Sequence, residues 1–421
     1  MNMLIEFWQQ LTARPDFWGF ICIPIVAAVV TWVHVWMALK LMFYPIDFIG
    51  LRSDWPRRLG INFPGFGWQG LIPMKARKMA GIVTDRGILK LGTVQEFMQQ
   101  MEPDKVATHV VGAVMANIEA YVDEVMLERS PVLWENLPRS IKRRVYRHVR
   151  EQIPAIMDGM VGEIIDQVHQ LVDVRGMICD QIEQDKALIV RMFEEVGDRE
   201  LAFIVNISFW IGLAFGLLQM VMFYFVPWHG GLPLYAAVLG WVTNWIALTM
   251  VFRPLEETRF GPWRLQGLFL KRQNEVADKF SEIVAHEVLT VRQFMQVMLS
   301  GERSEHTRRL IRRRLGPLLD SPVVRSLAQL SMGPGGYTGL KAAAVDKTTA
   351  IAMQPLSNPE FNTDRSRRLS GLLAERIRAL SKLEFQDLLR PAFEEDEWIL
   401  LALGALTGLV AGTIQLLLGF R

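Results

Sequence analysis

Charged residues are missing from three stretches of the chain, Phe17 to Leu39, Leu201 to Phe252 and Trp398 to Phe420. The first and third hold 23 residues each. At 1.5 Å per residue that is about 35 Å, enough to cross a hydrocarbon core of about 30 Å. The middle stretch holds 52 and is broken by Pro227-Trp228-His229-Gly230-Gly231-Leu232-Pro233, so it reads as two spans joined by a tight turn. The pattern predicts four transmembrane helices, roughly 17–43, 201–226, 234–252 and 398–419. Residues 1–16 form a short N-terminal segment. Glu6 and Asp16 in it, with no small-residue cleavage pattern after the first span, predict a retained helix and not a cleaved signal.

Between the spans the periodicity becomes helical and amphipathic. Val106, Val110, Val111, Val114, Met115, Ile118, Tyr121, Val122, Val125 and Met126 recur at steps of three, four and one. Val276, Phe280, Ile283, Val284 and Val288 do the same, as do Leu369, Leu372, Leu373, Ile377 and Leu380. No run of strict alternation stands out, so these segments are expected to be helical throughout. Lys and Arg sort to one side of the spans: Lys40, Arg52, Arg57 and Arg58, then Arg191 and Arg199, then Arg253, Arg259 and Arg264, then Lys382 and Arg390. By the positive-inside rule the segments 44–200 and 253–397 are expected in the cytoplasm, with the termini and the 227–233 turn outside.

The third span repeats the first. Trp32 to Pro45 aligns with Trp241 to Pro254, with seven of fourteen positions identical at an offset of 209. Gln69-Gly70-Leu71 then matches Gln266-Gly267-Leu268, and the Thr93-Val94 block matches the Thr290-Val291 block, both at 197. Gly212-x-x-x-Gly216-x-x-Gln219 matches Gly408-x-x-x-Gly412-x-x-Gln415 at 196. Near-constant offsets through membrane and polar parts point to an internal duplication. Two units of the same orientation make a parallel repeat. The expected fold is an all-α integral membrane protein with four transmembrane helices and two cytoplasmic helical domains from an internal parallel duplication.

Composition adds little. Hydrophobic residues make up 51% of 421, and the 46 Lys plus Arg nearly balance the 44 Asp plus Glu, giving a net charge of +2. Neither an acidic nor a nucleic-acid partner is indicated. Cys22 and Cys179 propose no disulfide framework, and the seven histidines show no metal spacing, so no metal or cofactor is expected. Gly333-Pro334-Gly335-Gly336-Tyr337-Thr338-Gly339-Leu340-Lys341 lacks the Gly-Lys-Ser/Thr of a phosphate loop and reads as a helix–helix loop. No catalytic constellation appears. His34 and Asn244 are polar groups inside spans one and three, expected to face the bundle as an interhelical hydrogen bond or part of a polar pathway. Gly212, Gly216, Gly404, Gly408 and Gly412 form small-residue seams, expected to pack span two on span four or protomer on protomer. Arg308, Arg309, Arg312, Arg313 and Arg314 form a basic face for counter-ions or lipid headgroups.

Two motifs carry a resemblance. Asn-Trp-x-Ala-x-x-x-x-Phe-Arg-Pro occurs as Asn244, Trp245, Ala247, Phe252, Arg253 and Pro254, and Gly-Leu-Ile-Pro-x-Lys as Gly70, Pro73 and Lys75. With Gly404-Ala405-x-x-Gly408-x-x-x-Gly412-x-x-Gln415 after a Glu-rich segment, they resemble the membrane family catalogued as domain of unknown function 445. The first copy departs from the pattern at Val35 and Tyr44, the second at Leu270. The resemblance implies architecture and no particular activity. The leading expectation is a non-enzymatic, multi-pass protein of a bacterial inner membrane that presents helical domains to partners. Those partners are membrane lipids, a second copy or another protein. The alternative is lipid or small-solute handling through the duplicated bundle.

Overall fold

A computed structural model describes residues 17–52, 65–225, 229–260, 263–390 and 397–419. Among its helices are α1 (Phe17–Phe43), α2 (Val94–Gln100), α3 (Pro103–Ala116), α4 (Ile118–Arg129), α5 (Arg139–Asp166), α6 (Lys186–Phe225), α7 (Leu232–Phe252), α8 (Val291–Ser300), α9 (Ser304–Leu319), α10 (Pro322–Ala352), α11 (Pro359–Ala379) and α12 (Glu397–Gly419). Two antiparallel hairpins interrupt them: β1 (Ile49–Arg52) with β2 (Gly65–Trp68), and β3 (Thr258–Phe260) with β4 (Trp263–Leu265). The chain divides into two compact units. Unit 1 draws on Met1–Gly87, Ile182–Val276 and Ile377–Arg421; unit 2 is Ile88–Gln181 with Ala277–Arg376.

In unit 1, α1, α6, α7 and α12 are each long and apolar enough to cross a membrane. They pack chiefly as α1 with α6 and α7 with α12. Large apolar side chains point outward: Trp18, Trp36, Trp210, Leu217, Leu406 and Leu417 are exposed. Thr31, His34, Ser208, Thr243 and Asn244 are buried instead. Apolar outside and polar inside inverts the pattern of a water-soluble bundle and suits lipid as solvent. Span two differs from its expected bounds. It is the far end of α6, a continuous helix of 40 residues, about 60 Å long. The charged stretch before Leu201 contains no proline, so nothing stops the helix there.

The chain leaves α1 and α7 through matching elbows. The Tyr44–Pro45 and Arg253–Pro254 peptides are both cis. A hairpin follows, and the returning chain ties back to the proline. The Gly70 amide donates to the Pro45 carbonyl at 2.9 Å, and Gly267 to Pro254 at 2.9 Å. The Gln69 side chain donates to the Ile46 carbonyl at 2.7 Å, and Gln266 to Leu255 at 3.3 Å. A Cβ on Gly70 would stand 2.6 Å from the Phe43 carbonyl carbon, so the close return needs glycine. The hairpins correct the all-helical expectation for these segments. Strands of three or four residues are too short for alternation to register.

Unit 2 is helical, and here the expected pair of separate domains gives way to one body. Residues 88–181 and 277–376 share a single unit. Each segment alone would leave an apolar helix face bare, and the two cover each other. Thr93 and Thr290 open corresponding helices as N-caps, accepting from the Glu96 amide at 3.2 Å and the Gln293 amide at 3.1 Å. Four residues after each threonine, Phe97 and Phe294 are both fully buried. The glycine-rich stretch from Gly333 is also corrected: it runs as helix within α10, not as a loop. Beyond it, Tyr337 donates to the Leu319 carbonyl at 3.2 Å and Lys341 reaches Asp320 at 2.8 Å. These ties hold α10 along α9, and tertiary packing overrides a cost of about 1 kcal/mol per helical glycine.

Candidate functional site

A cavity with a volume of about 260 Å³ opens in unit 2. Its wall is built from both chain segments. Met98 of α2, Val110 of α3, Val122 of α4 and Met157 of α5 face Phe294 of α8, Leu310 of α9 and Ile351 of α10. Of the helical face read from Val106 to Met126, every member except Met115 lines this space. Seven methionines, including Met157, Met160 and Met298, contribute flexible, polarizable thioethers that adapt to a guest's shape. An apolar cavity of about 150 Å³ already stays dry and takes a small hydrocarbon. This one is larger.

Polar groups enter the lining at few places. Thr307 of α9 is 3% exposed, and its hydroxyl has no hydrogen-bond partner. Lys347 of α10 pairs with Glu124 of α4 and sits 5.4 Å from the ring centre of Tyr121. The Tyr121 hydroxyl donates to Gln354 at 3.2 Å. The Arg308–Asp346 ion pair at 2.8 Å joins α9 to α10 next to Thr307 and Lys347 in the chain. Glu102, between the lining residues Met101 and Pro103, holds a left-handed φ of 51°. The Lys105 hydrogen bond, with the Arg368 and Arg365 charges, keeps its carboxyl below the ordinary value.

The expected intramembrane residues do meet. His34 interacts with the Asn244 side chain and the Val30 carbonyl. Asn244 also donates to the Leu400 carbonyl at 2.7 Å, tying α7 to α12. A small cavity of about 20 Å³ adjoins them, lined by Thr31, His34, Gln219 and Gln415 among small residues. That volume holds about one water. The glycine seams are placed differently from expectation. Gly212 and Gly216 abut Thr31, Ala27 and Pro24 of α1, whereas Gly408 and Gly412 abut Ala236 and Pro233 of α7. Span two therefore packs on span one, and span four on span three. Gly404 meets Gly240, a glycine the spacing argument missed because it has no second glycine four residues away.

The remaining candidates belong to scaffolding. In α9, Arg308 pairs with Asp346, Arg314 reaches Glu163 at 2.8 Å, and Arg313 pairs with the same carboxylate. Arg309 donates to the Glu305 carbonyl at 3.3 Å, while Arg312 is exposed. The basic run is largely consumed by ion pairs. The motif residues Gly70, Pro73, Lys75, Arg253 and Pro254 shape the elbows, Ala247 is buried, and Trp245 is half exposed on α7. Phe252 ends α7. The Glu-rich approach to α12 lies mostly outside the described residues, as do the expected N-terminal segment 1–16 and Pro227 and Trp228 of the turn. Among the described residues no cluster of His, Cys, Asp and Glu could hold a metal ion. Sequence reasoning missed Thr307 and Lys347. Only the packing of α9 beside α10 brings both to the wall of one cavity.

No family model matches the chain. A segment of 64 residues is 41% identical to a UPF0754 protein of Alkalihalophilus pseudofirmus, covering 14% of this chain and 17% of that protein. No solved structure matches.

Proposed function

We propose that this protein is a non-enzymatic, four-span membrane protein that holds a hydrophobic guest in unit 2. The observation that carries the reading is the cavity of about 260 Å³ with its almost wholly apolar wall. Ligand pockets are concave, mostly apolar and favour the junction of two structural elements, as this one does. In this reading the spans anchor unit 2 at the cytoplasmic face of a bacterial inner membrane, as the Lys/Arg distribution requires. The resemblance to domain of unknown function 445 fits the architecture. The paired hairpins, the Gly70 and Gly267 returns and the Thr93 and Thr290 caps support a parallel duplication. The cavity then lies where the two copies interlock. The apolar cavity favours ligand handling over presentation alone.

The test is saturable binding of an uncharged, environment-sensitive naphthylamine dye by the full chain, purified in detergent and stripped of lipid. Val110→Phe, which fills the cavity, is expected to abolish binding without lowering the thermal midpoint. Absence of saturable binding, or equal binding by the filled variant, refutes the reading.

A further inference from the structure

The shape of the cavity and its few polar groups narrow the guest, on the reading that a guest is bound. Along α5 the lining runs from Val145 to Ile164, about 28 Å at 1.5 Å per residue. The lined space is therefore elongated along α5. A bilayer core of about 30 Å is two chains thick, so one hydrocarbon chain reaches about half that distance and matches the length of the lining. Phe294 and Tyr121 are the lining aromatics, and aliphatic and thioether groups make the rest of the wall, which offers no stacking platform for a planar guest.

Thr307 supplies the second constraint. Other helical threonines in unit 2 satisfy their hydroxyls on their own helix: Thr348 donates to the Ala344 carbonyl at 2.7 Å and Thr349 to Val345 at 2.8 Å. The Thr307 hydroxyl is buried at the cavity wall and has no partner. Buried polar groups in folded proteins are paired, so an orphan at a ligand-sized cavity marks a place for a polar atom of the guest. Lys347 of α10 also lines the cavity. Its ammonium has three donors, and Glu124, its present partner, is largely solvent-exposed and free to swing away.

We propose that this elongated apolar cavity takes a linear acyl chain whose carboxyl or ester oxygen accepts hydrogen bonds from Thr307 and Lys347. The chain lies along α5 and the polar end sits between α9 and α10. A free fatty acid and a membrane glycerolipid both supply this chemistry.

The test uses the delipidated full chain and a fluorescent polyene fatty acid, read alongside the uncharged naphthylamine dye. The wild-type protein is expected to bind the fatty acid saturably. Thr307→Val, of nearly equal size, weakens that binding about tenfold, the loss of one buried hydrogen bond. Thr307→Ser restores it, and dye binding is unchanged in both. Lys347→Met weakens the fatty acid in the same way. Competition with palmitic acid and with phosphatidylglycerol vesicles assigns the source, since either competitor alone displaces the probe only if its acyl chain enters. Equal fatty-acid affinity in wild type and Thr307→Val, with matched thermal midpoints, overturns the proposal. So does dye binding without any fatty-acid binding, although a hydrophobic guest then survives. Loss of both signals in the wild type removes the two readings together.

Discussion

Gly240 and Gly404 bring α7 and α12 into backbone contact, and Gly240→Ala tests how much of the bundle rests there. A Cβ on Gly240 would lie 2.1 Å from the Gly404 carbonyl oxygen. Carbon and oxygen approach no closer than about 3.3 Å, so the helices must part by roughly 1.2 Å. One turn away, the Asn244–Leu400 bond at 2.7 Å would stretch to roughly 3.9 Å, outside hydrogen-bonding range. An interhelical hydrogen bond in a membrane is worth about 0.6 kcal/mol and at most about 1.7. A gap of this size also forfeits up to about half of each dispersion contact along the seam. Against these losses, alanine gains about 0.5–1 kcal/mol over glycine in a helix. The net expectation is destabilisation of about 2 kcal/mol, read as an earlier transition in dodecyl sulfate titration of the detergent-solubilised protein. Gly112→Ala in α3 and Gly162→Ala in α5 serve as controls, because nothing lies within 4 Å of either added Cβ. Those two should be neutral or stabilising by up to about 1 kcal/mol. A Gly240→Ala protein as stable as wild type refutes the backbone contact and the reasoning built on it.

Glu200, 2% exposed, accepts from Arg272 at 2.6 and 2.7 Å. Glu275 keeps Arg272 paired, at 2.6 and 2.9 Å, so Glu200→Ala removes two charged hydrogen bonds without stranding the guanidinium and should cost about 1.5–3 kcal/mol in chemical denaturation; an unchanged midpoint rejects the pair. In a background lacking Cys22 and Cys179, an impermeant maleimide should label Gly230→Cys only from outside the cell and Glu135→Cys only after the membrane is opened. The opposite pattern inverts the topology. Tyr44 donates to Glu194 at 2.7 Å, and that bond raises the phenol above its ordinary value. A folded-state value above the unfolded one means the contribution is intact at neutral pH and is lost as pH rises through the raised value. Glu194→Gln should therefore move the Tyr44 ultraviolet titration to lower pH, and an unmoved titration denies the bond.

Much of the fold was legible in the chain because the bilayer imposes a coarse rule. Three uncharged stretches and one Pro/Gly interruption are long-range features that survive any uncertainty about packing, and all four apolar helices follow from them. The elbows were half legible. The repeated Gln-Gly-Leu and Thr-Val blocks stood out as polar matches, but their purpose did not, since it depends on Gly70 returning to Pro45 and on Thr93 capping a helix. The three-residue strands of the second hairpin were invisible, because period-2 alternation needs more residues than they contain.

The sequence by itself determined the number of spans, their approximate bounds, the helical character of the polar segments and the apolar face from Val106 to Met126. Each of these is a local or periodic property, written in which residues recur at what spacing. Only the tertiary structure decided what those faces meet. A glycine seam tells that a backbone can come close, not which one, so Gly212 found α1 and Gly408 found α7. An amphipathic face predicts burial, not dense packing, and the one beginning at Val106 borders a cavity. Thr307 and Lys347 are forty residues apart in the chain. They become a candidate binding pair only because the packing of α9 beside α10 brings both to the wall of one cavity. Which side chains share a surface is set by the relative placement of rigid helices, and no spacing along a single helix encodes it.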